Sequence, residues 1–326
     1  MNYGFWGKLE KPFFVLAPMV NVTDTVFRQI IVEHSRPDAL WTEFVSCDGL
    51  CSPRGRAAVL RGLQFTQQER PLVAQIFGAK PENFYTTAKL LAELGFDGID
   101  INMGCPDKAI MKQGTGAALI MNPTLAKEII AATQEGVSDA GETLPVSVKT
   151  RIGFNSDEIE TWIPTLLSMN IPVLTVHGRT KKELSAVPAH WDRIGAVVEM
   201  ARATGTLIIG NGDVQTLQEA KQRVAETGVD GVMLGRAIFG NPWLFDHQGQ
   251  VPTVREKLTV LVAHTALFEQ TWGATKNFEL MKKHFKAYVT GFDGAQALRM
   301  RLMECHTAKE VDDEVTAFLR KTLTSL

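Results

Sequence analysis

The sequence predicts an α/β protein, a closed TIM-type (β/α)8 barrel followed by a C-terminal all-helical domain. Eight short apolar runs alternate with stretches of helical character between residues 13 and 235. Each run is nearly continuously apolar rather than alternating, as expected of parallel strands buried on both faces. Beyond about Thr253 the strand-like runs cease and only helical spacing remains. Eight strand–helix units favour a closed barrel over an open sheet.

The runs are read in order as follows. Phe13-Phe-Val-Leu-Ala-Pro-Met19 opens the series, and Ala39-Leu-Trp-Thr-Glu-Phe-Val45 is the second strand. Leu72–Phe77 is the third, with Pro81-Glu82 at the start of the helix after it. Gly98–Met103, Pro145–Arg151, Val173–His177, Leu207–Asn211 and Gly231–Gly235 complete the eight. Helices are expected over Val254–Trp272, Asn277–Val289 and Val311–Leu323. The boundaries are placed at 1–245 for the barrel and 253–326 for the helical domain, joined through Asp246-His-Gln-Gly-Gln-Val-Pro252.

Composition narrows the class. The chain has 326 residues, long enough for a barrel of about 250 residues and a small appended domain. No run of 18 apolar residues occurs, so no membrane-spanning helix is expected. The N-terminus lacks a charged-then-apolar signal layout, and the protein is read as cytoplasmic. Cys47 and Cys51 lie one helical turn apart with no second pair and no nearby histidine, so no metal site is expected and two small packing residues are. Net charge is −2 overall, but residues 276–309 carry 7 Lys and Arg against 3 Asp and Glu. That basic stretch suits a phosphate backbone or, equally, a solvated helix face.

Polar residues collect at the strand ends. Cys105 follows the fourth strand, Lys149 and Arg151 end the fifth, and His177 ends the sixth. In a barrel these all face one mouth, where chemistry is done. Gln75 stands inside an apolar strand and needs a hydrogen-bonding partner there, such as a ligand. Gly210-Asn-Gly-Asp213 and Gly235-Arg236 follow the seventh and eighth strands, where barrels hold phosphate with backbone N–H groups. Asp213 is expected to cap the next helix. Ala17-Pro18-Met19 is small and apolar enough to lie against a flat ring.

Taken together, Ala17-Pro-Met19, Thr42-Glu43, Gln75, Asn102-Met-Gly-Cys-Pro106, Val148-Lys-Thr-Arg-Ile-Gly153, His177-Gly-Arg-Thr180, Gly210-Asn-Gly-Asp213 and Gly235-Arg236 resemble the tRNA-dihydrouridine synthases. The likeness is continuous over about residues 13–245 and weaker in the tail. It implies a monomeric flavin enzyme with FMN in the barrel mouth and NADPH or NADH as reductant. Asn211, Gly212, Asp213, Gly235 and Arg236 would hold the FMN phosphate. Ala17, Pro18, Met19, Gln75, Lys149 and His177 would contact the rest of the cofactor. The reaction would be reduction of the uracil C5–C6 bond in tRNA, with Cys105 giving the proton to C5. Asn102, Arg151 and Arg179 would hold the flipped uridine, and Lys282, Lys283, Lys286, Arg299 and Arg301 would grip the tRNA backbone. The alternative is an FMN-dependent barrel oxidoreductase acting on a free pyrimidine or enone, against which the basic helical tail argues. A Schiff-base lyase built on Lys149 would leave Cys105 and the tail without a role. The N-terminal Tyr3-Gly-Phe-Trp-Gly7 is expected to cover the bottom of the barrel.

Overall fold

Nine parallel strands form one sheet in the computed structural model, which describes residues 1–323. They are β1 (Phe13–Leu16), β2 (Leu40–Trp41), β3 (Val45–Ser46), β4 (Leu72–Phe77), β5 (Gly98–Met103), β6 (Val146–Arg151), β7 (Val173–His177), β8 (Leu207–Asn211) and β9 (Gly231–Leu234). The order is β1-β9-β8-β7-β6-β5-β4-β2, with β3 also paired to β4. A parallel bridge between Val15 and Ala39 joins the two ends and closes the barrel. β1 and β4–β9 are wholly or almost wholly buried along their length, which is why they read as continuous apolar runs.

The expected second strand is split. Thr42 Oγ1 accepts a hydrogen bond from Gln75 N at 3.1 Å, so a side chain takes the place of a ladder carbonyl between β2 and β3. The first strand stops at Leu16, since Pro18 has no N–H to continue a ladder.

The N-terminal turn Gly4–Lys8 covers the barrel bottom. Trp6 is buried in a cluster with Phe13, Val15, Trp41, Val73, Val173, Leu207, Ile209 and Met233. Its ring lies 5.6 Å from those of both Phe13 and Trp41. The segment expected to close the bottom therefore supplies part of the core.

Two compact units make up the chain: Met1–Thr25 with Pro37–Gly235, and Val26–Arg36 with Arg236–Leu326. The first contains the barrel. The second contains the helices Val254–Trp272, Lys282–Tyr288, Ala295–Met303 and Ala308–Leu323, together with most of the helix Thr25–His34. Within it the Phe27 ring stacks on His264 at 5.1 Å and lies 5.0 Å from the ring of His284. The helix Ala295–Met303 was not expected from spacing, because only Ala295, Leu298 and Leu302 of its nine residues are buried. Among the described residues no helix is long and apolar enough to cross a membrane.

Candidate active site at the barrel mouth

Strand register brings the polar residues together. Asn102, Lys149 and Thr175 occupy one row across β5, β6 and β7. Arg151, His177 and Asn211 occupy another across β6, β7 and β8, toward the C-terminal end of the strands. Side chains two apart on a strand share a face, so Asp100 with Asn102, and Lys149 with Arg151, point the same way.

Cys105 is half-buried in the loop after β5. Asn102 Oδ1 accepts from Gly104 N at 3.1 Å and from Cys105 N at 2.9 Å. Cys105 O accepts from Ala117 N at 3.0 Å, and Arg151 Nε donates to Gly104 O at 2.7 Å. Gly116, at φ +61°, lets the returning chain lie close, since a Cβ there would be 2.8 Å from Cys105 O. Burial pushes the thiol pKa up, outweighing the opposite pull of the Arg151 and Lys149 cations. The sulfur is therefore a protonated acid near neutral pH.

Lys149 shows the complementary shift. Burial and the nearby Arg151 cation lower its pKa to about 8, with Asp100 and Cys105 pulling the other way. The residue keeps some solvent exposure along its length while protein surrounds its ammonium. The one hydrogen bond of that ammonium among the described residues goes to Asn211 Oδ1 at 3.3 Å. Beside it in register, the buried Thr175 Oγ1 has no hydrogen-bond partner. The Lys149 ammonium, left with donor capacity at the mouth, fits the electron-rich edge of a flat heteroaromatic ring.

Both ends of the Gln75 amide are held by protein groups. Its Nε2 donates to Asp100 Oδ2 at 2.7 Å, and its Oε1 accepts from Asn102 Nδ2 at 3.0 Å. Ser147 Oγ donates to Asp100 Oδ1 at 2.6 Å. Burial raises the Asp100 pKa to about 6 against the help of these donors and of Lys149. Asp100 and Ser147 escaped the sequence reading. The available signal was an acidic residue in the middle of a strand otherwise buried on both faces, where a carboxylate is almost never found without partners.

Both arginines at the mouth hold loops. Arg151 donates from Nη1 to Thr180 O at 3.2 Å and to Leu184 O at 3.4 Å, in addition to its bond to Gly104 O. Arg179 is 2% exposed. It donates to Val187 O at 2.6 Å, contacts His177 Nε2 at 3.3 Å and forms an ion pair with Asp213. Asp213 also accepts from Ala189 N at 2.9 Å. The helix Leu217–Thr227 is capped by Thr216, whose side chain accepts from Glu219 N. This corrects the expectation that Asp213 caps it: Asp213 is turned to Arg179 by a left-handed backbone, φ 57°.

The remaining expected residues fall as follows. Ala17 N donates to Leu234 O at 2.8 Å, with Pro18 and Met19 partly exposed beyond it. Gly212, at φ 135°, lies between β8 and Asp213, and its carbonyl accepts from Trp191 Nε1 at 3.0 Å. Gly235 ends the first unit and the exposed Arg236 begins the second. In the helical unit Lys282 pairs with Glu279 at 2.8 Å and Arg301 with Glu314 at 2.6 Å. Lys283 is half-buried. Lys286 and Arg299 line a cleft of about 400 Å³ with the exposed Met300 and Met303. Among the described residues there is no cluster able to hold a metal ion, and all four cysteines are free.

Comparison with known proteins identifies the family. Residues 15–323 match the family model "Dihydrouridine synthase (Dus)". The chain is 41% identical to a probable tRNA-dihydrouridine synthase of Staphylococcus aureus (strain MRSA252) over 95% of its length and 94% of the relative's. It is 40% identical to the probable tRNA-dihydrouridine synthase 2 of Bacillus subtilis (strain 168), covering 99% of each. Among solved structures, morphinone reductase in complex with tetrahydroNAD shares the barrel fold at TM-score 0.50 and 12% identity, over 76% of this chain and 90% of that one. The family model spans both compact units and the relatives match nearly end to end, so the chain belongs to the dihydrouridine synthase family.

Proposed function

We propose that this protein reduces the C5–C6 double bond of uridines in tRNA, using FMN and a reduced nicotinamide. The observation that carries the reading is a protonated, half-buried thiol at the same barrel mouth as a lysine of lowered pKa. When bound, the reduced flavin would supply a hydride to one carbon of that bond. Cys105 would break its S–H bond and give the proton to C5, leaving a thiolate. Arg151 and Lys149 lie close enough to stabilise that thiolate, since both already act on the sulfur.

Lys149 would face the pyrimidine edge of the flavin and favour its anionic reduced form. His177 and the Ala17-Pro18-Met19 segment would contact the ring and side chain. The backbone of Asn211, Gly212, Asp213 and Gly235 would receive the phosphate. Asn102 and Arg179 would act on the flipped uridine through the loops they hold, and Arg151 both through its loops and through its remaining N–H groups. The Lys286 and Arg299 cleft would take part in gripping the RNA. NADPH is the expected reductant.

The test uses tRNA lacking dihydrouridine, flavin-loaded protein and NADPH, with nucleosides identified by mass spectrometry. Cys105→Ala should still bleach its flavin with NADPH but form dihydrouridine at least about 100-fold more slowly. Turnover of free uridine at the rate seen with tRNA would instead favour a small-molecule reductase. Modification of tRNA by the variant at the parent's rate would remove Cys105 from the reaction.

A further inference from the structure

A buried chain of side chains runs from the middle of β5 and β6 to the backbone of Cys105. Its members are Ser147, Asp100, Gln75 and Asn102, at 1%, 0%, 0% and 6% exposure. Both ends of the amide pair are constrained. At one end, Gly104 N and Cys105 N both donate, so Asn102 must present its oxygen to them. Its Nδ2 must then face Gln75, whose oxygen must face Asn102 and whose Nε2 must face Asp100. At the other end, only a group that accepts satisfies Gln75 Nε2. An ionised carboxylate accepts and never donates.

We propose that ionised Asp100 sets the hydrogen-bond polarity of this relay and so positions the Cys105 backbone and its thiol. Asp100 touches neither thiol nor mouth. It is a positioning residue acting through Gln75 and Asn102. Replacing it by asparagine keeps the shape but lets an amide NH2 face Gln75. The Gln75 amide can then turn over, present Nε2 to Asn102, and oppose Asn102 Nδ2 against the two backbone N–H groups. A buried unmade hydrogen bond at that point releases the loop.

The same logic specifies its own rescue, the double variant Asp100→Asn with Asn102→Asp. The amide introduced at position 100 accepts from Ser147 and donates to Gln75. Gln75 then donates to the carboxylate introduced at position 102, which accepts from Gly104 N and Cys105 N. Every donor again meets an acceptor, with the charge moved two residues along the strand and into register with Lys149.

The experiment follows iodoacetamide labelling of Cys105, peptide by peptide, with thermal unfolding in parallel. Each single variant should change the Cys105 labelling rate by roughly tenfold, within the range of coupling inside one network. The double variant should return to within about twofold of the parent. If the singles do not fold, a double variant that folds and labels like the parent supports the relay equally. A double variant that is no nearer the parent than the singles, or that fails to fold, overturns it. So does an Asp100→Asn protein that labels and unfolds like the parent. The purpose of placing the thiol rests on the proton-donor reading above. These readouts need neither flavin nor tRNA, so failure of that reading and failure of the relay are seen separately.

Discussion

Lys149 on β6 donates to Asn211 on β8 across the intervening strand, and this is the one hydrogen bond of its ammonium among the described residues. One weak contact at 3.3 Å does not offset the loss of water around an ammonium, which is why its pKa falls to about 8. In the flavin-free protein Lys149 should therefore lose its proton as pH rises through about 8, well before an ordinary lysine. Reductive methylation with isotope-labelled formaldehyde, followed by an NMR titration, reads that midpoint directly. A midpoint at or above the ordinary lysine value of 10.5 would contradict the environment described here. Lys149→Arg should hold its charge over the whole range.

Asp100 makes a prediction about stability. Its carboxyl ionises at about 6 in the folded protein against an ordinary value of 3.8. A carboxyl that is harder to ionise when folded favours folding below the unfolded value, and that contribution is lost as pH rises through the folded one. The difference of about two units corresponds to roughly 3 kcal/mol at pH 7. Comparing urea midpoints of the parent with Asp100→Asn isolates this group. The parent should lose stability relative to the variant between about pH 4 and pH 6 and change little above. Parent stability relative to the variant that is flat, or that rises with pH, would show that Asp100 ionises at least as readily in the folded protein as in the unfolded chain.

Gly212 occupies a conformation at φ 135°, and a Cβ there would be 2.6 Å from the Ala189 Cβ. Gly212→Ala should destabilise by about 1–3 kcal/mol, the usual cost of such backbone strain. It should also weaken flavin retention, because the next residue carries the Asp213–Arg179 pair. Gly235→Ala meets only ordinary contact, 3.6 Å to the Ala17 Cβ, and should unfold like the parent. Thermal unfolding separates the two. Equal midpoints for Gly212→Ala and the parent would mean the loop relaxes freely.

What could be read in the sequence was what one strand reveals by itself. β4, β5, β7 and β8 lie where their apolar runs lie, because burial on both faces writes itself into consecutive residues. Cys105, Lys149 and His177 stood out because a strand's end can be read without knowing its neighbours. The relay could not be read this way. Gln75 inside an apolar strand calls for a hydrogen-bonding partner, and one such partner is Asp100, 25 residues away and adjacent only through strand register. The bond between Arg179 and Asp213 is hidden for the same reason, the two lying 34 residues apart. The break between β2 and β3 depends on Thr42 capturing Gln75 N, again a contact across strands.

The last prediction concerns the helical unit, where basic residues were pooled by charge alone and differ in availability. Lys286 is exposed, lines the cleft with Met300 and has no ion-pair partner among the described residues. Lys309 is also exposed but pairs with Asp313 at 2.8 Å. A cation already neutralised by a carboxylate releases few counterions from RNA, whereas a free one releases about one per phosphate contact. Lys286→Ala should weaken tRNA binding and lower the slope of log affinity against log salt by about 1. Lys309→Ala should leave that slope nearly unchanged. Filter binding of tRNA over a series of salt concentrations measures both. Equal slopes for the parent and Lys286→Ala would place the RNA away from this cleft.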